Sequence, residues 1–159
     1  PADRLETARQ KGMAVHKMVA LEVRGDLDED ALPEWLSPVL AQWRKFVAES
    51  GAVVLASERQ VYHSQYRYAG TLDLEVEMGD VRAIIDIKRS FLGGAVIGMQ
   101  LAAYELASRP LGKQPARRFA LRLNENGPYR LEPFTDGSDY NNFVTCLAFF
   151  KLQQRMAHD

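Results

Sequence analysis

One cysteine, Cys146, stands in 159 residues. It excludes an intrachain disulfide and any zinc or iron–sulfur centre built from cysteines alone within the chain. Its setting, Val144-Thr145-Cys146-Leu147 with Phe143, Phe149 and Phe150 around it, predicts a buried structural thiol. A reducing compartment is compatible with that usage. No apolar run approaches the roughly 18 residues that span a bilayer, and no signal-peptide pattern is visible, so the expectation is a cytoplasmic protein. The sequence opens on Pro1 rather than Met, and further sequence upstream stays open. An excess of either charge is also missing. Twenty Lys and Arg against 21 Asp and Glu leave a formal charge of −1, so any pull on nucleic acid must come from local patches. Lys113, Arg117, Arg118 and Arg122 form the best such patch, and a solvated loop and strand edge accounts for it equally well. Neither internal repeats nor low-complexity tracts are present.

What is there suits one domain spanning 1–159. The chain is 47% hydrophobic and 26% charged, the composition of a globular protein long enough to bury a core. Residues 3 to 23 predict a helix with Leu5, Ala8, Gly12, Val15, Val19 and Val23 as a sparse apolar stripe. Residues 28 to 49 predict a second helical region, with Pro33 in its first turn and Pro38 as a point of kinking or splitting. Three strands follow at about 53–63, 67–78 and 81–89, then a break at Gly93-Gly94. A helix over 95 to 108 stops before Pro110. Residues 117–123 and 129–134 predict a hairpin around Asn124-Glu125-Asn126-Gly127, and 138 to 157 a C-terminal helix. The expected class is α/β (α+β): a mixed central sheet of about five strands flanked by helices.

The second and third strands carry the chemistry. Met78-Gly79-Asp80-Val81 is a two-residue hairpin signal. With Gly79-Asp80 as the turn, Glu77 faces Arg82, Glu75 faces Ile84 and Asp73 faces Asp86. Period-2 alternation then sends Asp73, Asp86 and Lys88 out of one face. The Glu77–Arg82 pair favours this register, whereas two carboxylates opposite each other disfavour it. A cation between Asp73 and Asp86 with Lys88 beside them resolves the conflict. Asp86 follows the apolar pair Ile84-Ile85, and an unpaired carboxylate buried there would cost several kcal/mol or titrate to neutral.

Three further positions are candidates. Gln100 and Tyr104 are spaced i to i+4 and share one helix face; a core tyrosine beside an exposed glutamine explains the pair as well. His16, in Gly12-Met13-Ala14-Val15-His16, has the surroundings of a core histidine more often than of a ligand. Glu58, in Ala56-Ser57-Glu58-Arg59, is either a solvated strand-edge acid or an additional acid for a metal. His63 and His158 have no comparable context.

Taken together, Gly12 through His16, Tyr68-Ala69-Gly70-Thr71-Leu72-Asp73, Asp86-Ile87-Lys88, and Gln100 with Tyr104 resemble the PD-(D/E)XK nuclease superfamily. The similarity is to the branch of RecB-like recombination helicase–nucleases, phage-type exonucleases and CRISPR-associated relatives, and it covers about residues 12 to 104. It implies a restriction-endonuclease-like core and a Mg²⁺- or Mn²⁺-dependent deoxyribonuclease, an exonuclease of recombination, repair or phage DNA processing in a bacterial or phage-infected cell. It further implies that Asp73, Asp86, the Ile87 carbonyl and His16 hold the metal, with Glu58 as an additional candidate. Lys88 would act on the attacking water and the phosphate. Gln100 and Tyr104 would hold DNA or the lysine, with Lys113, Arg117 and Arg118 as further DNA contacts. The cysteines that hold an iron–sulfur cluster in part of that family are missing, so no such cluster is expected. The implied partners are single- or double-stranded DNA and, as in relatives, further copies of the chain or a larger recombination complex. An endonuclease or nickase with the same site, or a non-catalytic nucleic-acid-binding module on the same fold, are the alternatives.

Overall fold

The computed structural model describes residues 2–90 and 94–157. The expected break at Gly93 lies outside them. The order is α1 (Ala2–Arg24), two 3-10 turns (Glu29–Ala31 and Glu34–Leu36), α2 (Ser37–Ser50), β1 (Val53–His63), β2 (Tyr68–Met78), β3 (Val81–Lys88), α3 (Gly94–Ser108), β4 (Arg117–Arg122), β5 (Arg130–Pro133) and α4 (Ser138–Met156). The sheet runs β1-β2-β3-β4-β5, antiparallel except where β3 and β4 pair in parallel. It is therefore the expected mixed sheet, and the parallel step is made possible by α3 crossing between β3 and β4. No helix of the described residues is long and apolar enough to cross a membrane.

Pro33 and Pro38 divide the second helical region. Pro33 precedes the turn Glu34–Leu36, and the α-helix proper starts at Ser37 with Pro38 in its first turn, where no backbone N–H is needed. Only the later part of α1 is buried: Val15, Met18 and Val19 are covered, but Leu5 is 74% exposed. The apolar stripe therefore works from Val15 onward, and the first turns of α1 stand away from the core.

Alternate residues of β3 go to different layers. Ala83, Ile85 and Ile87 join Val15, Met18, Val39, Trp43 and Phe46 from α1 and α2. Ile84 joins Ile97 and Leu101 of α3. Each such side chain, fully buried, contributes about 1.5–3 kcal/mol. The Gly79-Asp80 turn sets the register as expected, with Met78 opposite Val81, Glu77 opposite Arg82 and Glu75 opposite Ile84. One expected pair is replaced. Arg82 does not bridge to Glu77 but reaches diagonally to Glu75, and its guanidinium also donates to the Ser108 carbonyl at 3.1 Å.

Two buried carboxylates fix α3 and α4. Glu105, in the apolar α3, is fully buried and takes Arg109, the Ala116 N–H at 2.9 Å and the Tyr140 hydroxyl at 3.3 Å. Asp139 of α4 pairs with Arg118 at 2.8 Å, and Arg118 also donates to the carbonyls of Gly98 and Asp136. This corrects the expected basic patch: Arg118 is 5% exposed and committed to Asp139, whereas Lys113 and Arg117 are exposed. Cys146 is corrected too. It is exposed, because α4 packs through Asp139 and Phe143 and turns Cys146, Phe149 and Phe150 to solvent.

Asp139 approaches Gly98 so closely that an added Cβ would lie 2.7 Å from its carboxylate oxygens. Gly98→Ala should therefore cost about 1–3 kcal/mol by overpacking. Asp139→Ala, which strands a buried guanidinium, should cost about 3–5 kcal/mol. Urea melts check both, and an unchanged Asp139→Ala midpoint would contradict the structural role given to the pair.

Candidate metal centre

β2 and β3 pair only as far as Leu74–Ile85, while β2 stays on β1 out to Tyr68 and β3 stays on β4 out to Lys88. The two strands part at the next pair, Asp73 and Asp86. Instead of a ladder bond, the Asp73 carboxylate accepts the Ile87 N–H at 2.7 Å through Oδ2. His16 comes in from α1: its Nε2 lies 3.0 Å from the Ile87 carbonyl and its Nδ1 3.1 Å from Asp73 Oδ1. Glu58 Oε1 lies 3.8 Å from the same Nδ1. Glu58 is held at φ 50° in the middle of β1, a backbone region that non-glycine residues enter at a cost of order 1–3 kcal/mol and that clusters at functional sites.

Among the described residues, His16, Glu58 and Asp73 place one ligand atom each within 4.8 Å of one another. Asp86 lies outside that trio but is coupled by charge to Asp73 and His16. Its Oδ2 is buried without a hydrogen bond, and Lys88 Nζ stands 2.7 Å away as its counter-charge. Lys88 donates to Gln100 Oε1 at 3.1 Å, and Gln100 Nε2 donates to the Tyr104 hydroxyl at 3.0 Å. The edge of the Tyr104 ring lies against β2, where a Cβ on Gly70 would come within 2.8 Å of Cε1. The structure thus brings His16, Glu58, Asp73, Asp86, Lys88, Gln100 and Tyr104 to the mouth of the fork. Among the described residues, Lys113, Arg117 and Arg118 make no hydrogen bond or ion pair to these groups; Arg118 is bound to Asp139 instead.

No protein-family model matches the chain, and no curated protein matches it. The site's reading rests on its own geometry. The ring of His16 decides most of it. An Nε2–H donating to the Ile87 carbonyl leaves the Nδ1 lone pair facing Asp73 and Glu58, lone pair against carboxylate. Such an arrangement needs a cation at Nδ1, either a proton or a metal. Two donors at about 2.1 Å in neighbouring positions of an octahedron are about 3.0 Å apart, and His16 and Asp73 stand at 3.1 Å. The donor set of one imidazole and hard carboxylates suits Mn²⁺ or Mg²⁺. The Ile87 carbonyl, expected as a metal ligand, here orients His16.

Burial and the neighbouring Asp73 push the Asp86 carboxyl up to about 6, against the opposing pull of Lys88. Burial and Asp73 also raise Glu58. For His16, burial acts downward, but its bond to Asp73 and the charges of Asp73, Glu58 and Asp86 outweigh it and leave the imidazole raised. The site is short of positive charge. Two features were missed in reading the sequence. One is Lys11, Arg89 and Glu125, whose members are 36 to 114 positions apart and meet at 2.6–2.8 Å. The other is Glu105, which did leave a signal, a lone acid in an apolar helix.

A carboxyl raised on folding is favourable to the folded state when protonated. In metal-free protein its contribution is fullest below its ordinary 3.8 and is lost as pH rises through about 6. Asp86→Asn should therefore gain on the parent by about 1–3 kcal/mol as pH climbs across that window, and gain nothing below it. Denaturant melts in chelator at a series of pH values test this, and a pH-independent difference would show that Asp86 is not the strained acid.

Proposed function

We propose that this chain is a metal-dependent nuclease of PD-(D/E)XK type that hydrolyses phosphodiester bonds in DNA, acting as an exonuclease. The observation that carries this reading is the fork between β2 and β3. There His16 Nδ1, Asp73 and Glu58 converge beside the buried Asp86 and its partner Lys88. A structural role gives no reason to gather three acids around one half-buried histidine, with β1 held in an unfavourable conformation at Glu58. The proposed setting is the cytoplasm of a bacterial or phage-infected cell, in DNA recombination, repair or phage DNA processing.

When bound, Mg²⁺ or Mn²⁺ lowers the pKa of a bound water and polarises a phosphate oxygen. Asp73, Glu58 and His16 Nδ1 would hold the ion, with Asp86 as a further carboxylate beside them. Lys88 is a positioned cation: its ammonium donates to Gln100 and lies 2.7 Å from Asp86, and its other protons can meet the attacking water or a phosphate oxygen as charge develops there. Gln100 keeps that orientation because its amide nitrogen is spent on Tyr104, which leaves the amide oxygen facing Lys88. Tyr104 in turn is braced on Gly70.

End-labelled linear and closed circular DNA incubated with Mg²⁺, Mn²⁺, Ca²⁺ or chelator test the reading. Linear DNA should be degraded from its ends with Mg²⁺ or Mn²⁺. Circles should resist, and Ca²⁺ should bind but support little turnover because its looser geometry positions water poorly. Asp73→Ala or Asp86→Ala should abolish cleavage and weaken ion binding while the fold survives. Lys88→Ala should bind the ion and lose about 10²–10³ in kcat, and Gln100→Ala about 10–100-fold, with Tyr104→Phe milder. Intact DNA of every form under all conditions would overturn the proposal.

Proton and metal compete for His16. Because the imidazole is raised above its ordinary 6.5, Mn²⁺ affinity should begin to fall at a higher pH than an ordinary histidine would give, by about tenfold per pH unit below the imidazole pKa. His16→Ala should weaken Mn²⁺ more than Mg²⁺ and flatten that dependence. Calorimetric titrations over a pH series read both effects, and an unchanged profile in His16→Ala would remove His16 from the ligand set.

A further inference from the structure

We propose that Lys11 and Arg89 form a phosphate-binding subsite for the nucleic-acid strand entering the metal centre, and that Glu125 occupies this subsite in the free protein. The inference deepens the nuclease reading and rests on it. A cleft of about 430 Å³ is lined by His16, Lys88, Arg89, Asn124 and Asn126 among others. It shares Ala8 and Arg89 with a second hollow of about 330 Å³ that is walled by Arg4, Thr7 and Lys11, with Asp3 its one acid. Arg89 stands where the two hollows join and Lys11 lines the second, so both lie on the way from Lys88 to the first turns of α1.

Glu125 imitates what a phosphodiester would do there. Its Oε1 takes Lys11 Nζ at 2.8 Å and its Oε2 takes Arg89 Nη2 at 2.6 Å. Two oxygens of one anionic group, each on its own cation, is the pairing open to the two non-bridging oxygens of a phosphate. Both cations sit over the Trp35 ring, at 5.0 and 6.0 Å from its centroid, so the indole supports them whichever anion they hold. Arg89 Nε is buried and makes no hydrogen bond among the described residues, which leaves a donor that the carboxylate does not use.

The position of Glu125 is built in. Leu123 N–H donates to the Lys88 carbonyl at 2.9 Å, Asn124 Nδ2 to the Arg89 carbonyl at 3.0 Å, and Asn126 N–H to Asn124 Oδ1 at 2.9 Å. The β4–β5 loop is thereby tied to the end of β3 that carries Lys88 and Arg89, and its acid is aimed at the cations. An incoming strand exchanges one anion for another at Lys11 and Arg89, and adds phosphates beside Lys88 and Arg4 that Glu125 cannot supply.

Anisotropy of a short fluorescein-labelled single-stranded DNA, in chelator and across a salt series, tests the proposal. Glu125→Gln should tighten binding about two- to fivefold, the range set by a part-exposed ion pair. Asp80→Asn, which removes the same charge at the β2–β3 turn, should change it less. Lys11→Gln with Arg89→Gln should weaken binding and reduce the slope of log affinity on log salt by about 0.7, one phosphate contact on a single strand. Should that double variant melt early, Lys11→Gln alone carries the same test. A Glu125→Gln effect no larger than that of Asp80→Asn, or an unchanged slope in the cation variants, overturns the subsite even if the parent cuts DNA. The expected binding pattern in a parent that cuts nothing with Mg²⁺ or Mn²⁺ keeps the subsite and overturns the nuclease reading. Absence of binding by the parent overturns the subsite.

Discussion

Both polar groups of the Ile87 backbone are gripped by side chains. Asp73 takes the N–H at 2.7 Å and His16 faces the carbonyl at 3.0 Å. In a regular sheet those groups would go to a neighbouring strand. Here Asp73 and His16, themselves 3.1 Å apart, together stand in for the β2 partner, and α1 is drawn in with His16. The parting of β2 from β3, the tautomer of His16 and the placement of Lys88 one residue on all follow from that grip. A helix, two strands and the reactive groups are thereby fixed to a single residue whose own side chain is buried in the core.

Around this point the molecule treats charge in two ways. In the layer between α3 and α4 every buried acid has a matched cation: Glu105 has Arg109 with Arg82 nearby, and Asp139 has Arg118. Pairs of this kind contribute little net stability over an apolar equivalent, but breaking one is expensive, so they act as locks on the helix positions. At the fork the accounts do not balance. Asp73, Asp86 and Glu58 face one half-buried imidazole and one lysine, and the carboxyls of Asp86 and Glu58 are pushed upward as a result. A fold able to neutralise its interior acids elsewhere has left these short of positive charge, which is the condition for recruiting a divalent cation.

The hairpin was legible because one turn fixed its pairing. Gly79-Asp80 sets the register as far as Leu74 and Ile85, and alternation puts Lys88 on the same face as Asp86; the expected Asp73–Asp86 pair is where the strands instead part. The helix face of Gln100 and Tyr104 was legible for the same reason, a local period. What the sequence could not show depends on long-range approach. Lys11 and Glu125 are 114 residues apart, and nothing local in either segment announces the other. Arg118 looked like a surface cation because a strand's alternation does not say which face will be covered by a helix such as α4. Cys146 misled in the opposite direction: its apolar neighbours suggested burial, but α4 spends its contact face on Asp139 and Phe143 and leaves the rest outside. Glu58 was visible only as an acid near the start of a strand. Its role depends on a φ of 50° that no composition or spacing reveals.

The exposure of Cys146 has a practical corollary. It is the chain's one thiol, it faces solvent, and its sulfur lies 4.0 Å from Met99 Sδ on α3, immediately before Gln100. A maleimide dye would attach at a single chemically unique address on α4, beside the helix whose Gln100 steadies Lys88. Labelling there gives an optical view of α3 from outside the reactive fork, without any residue of the fork being altered.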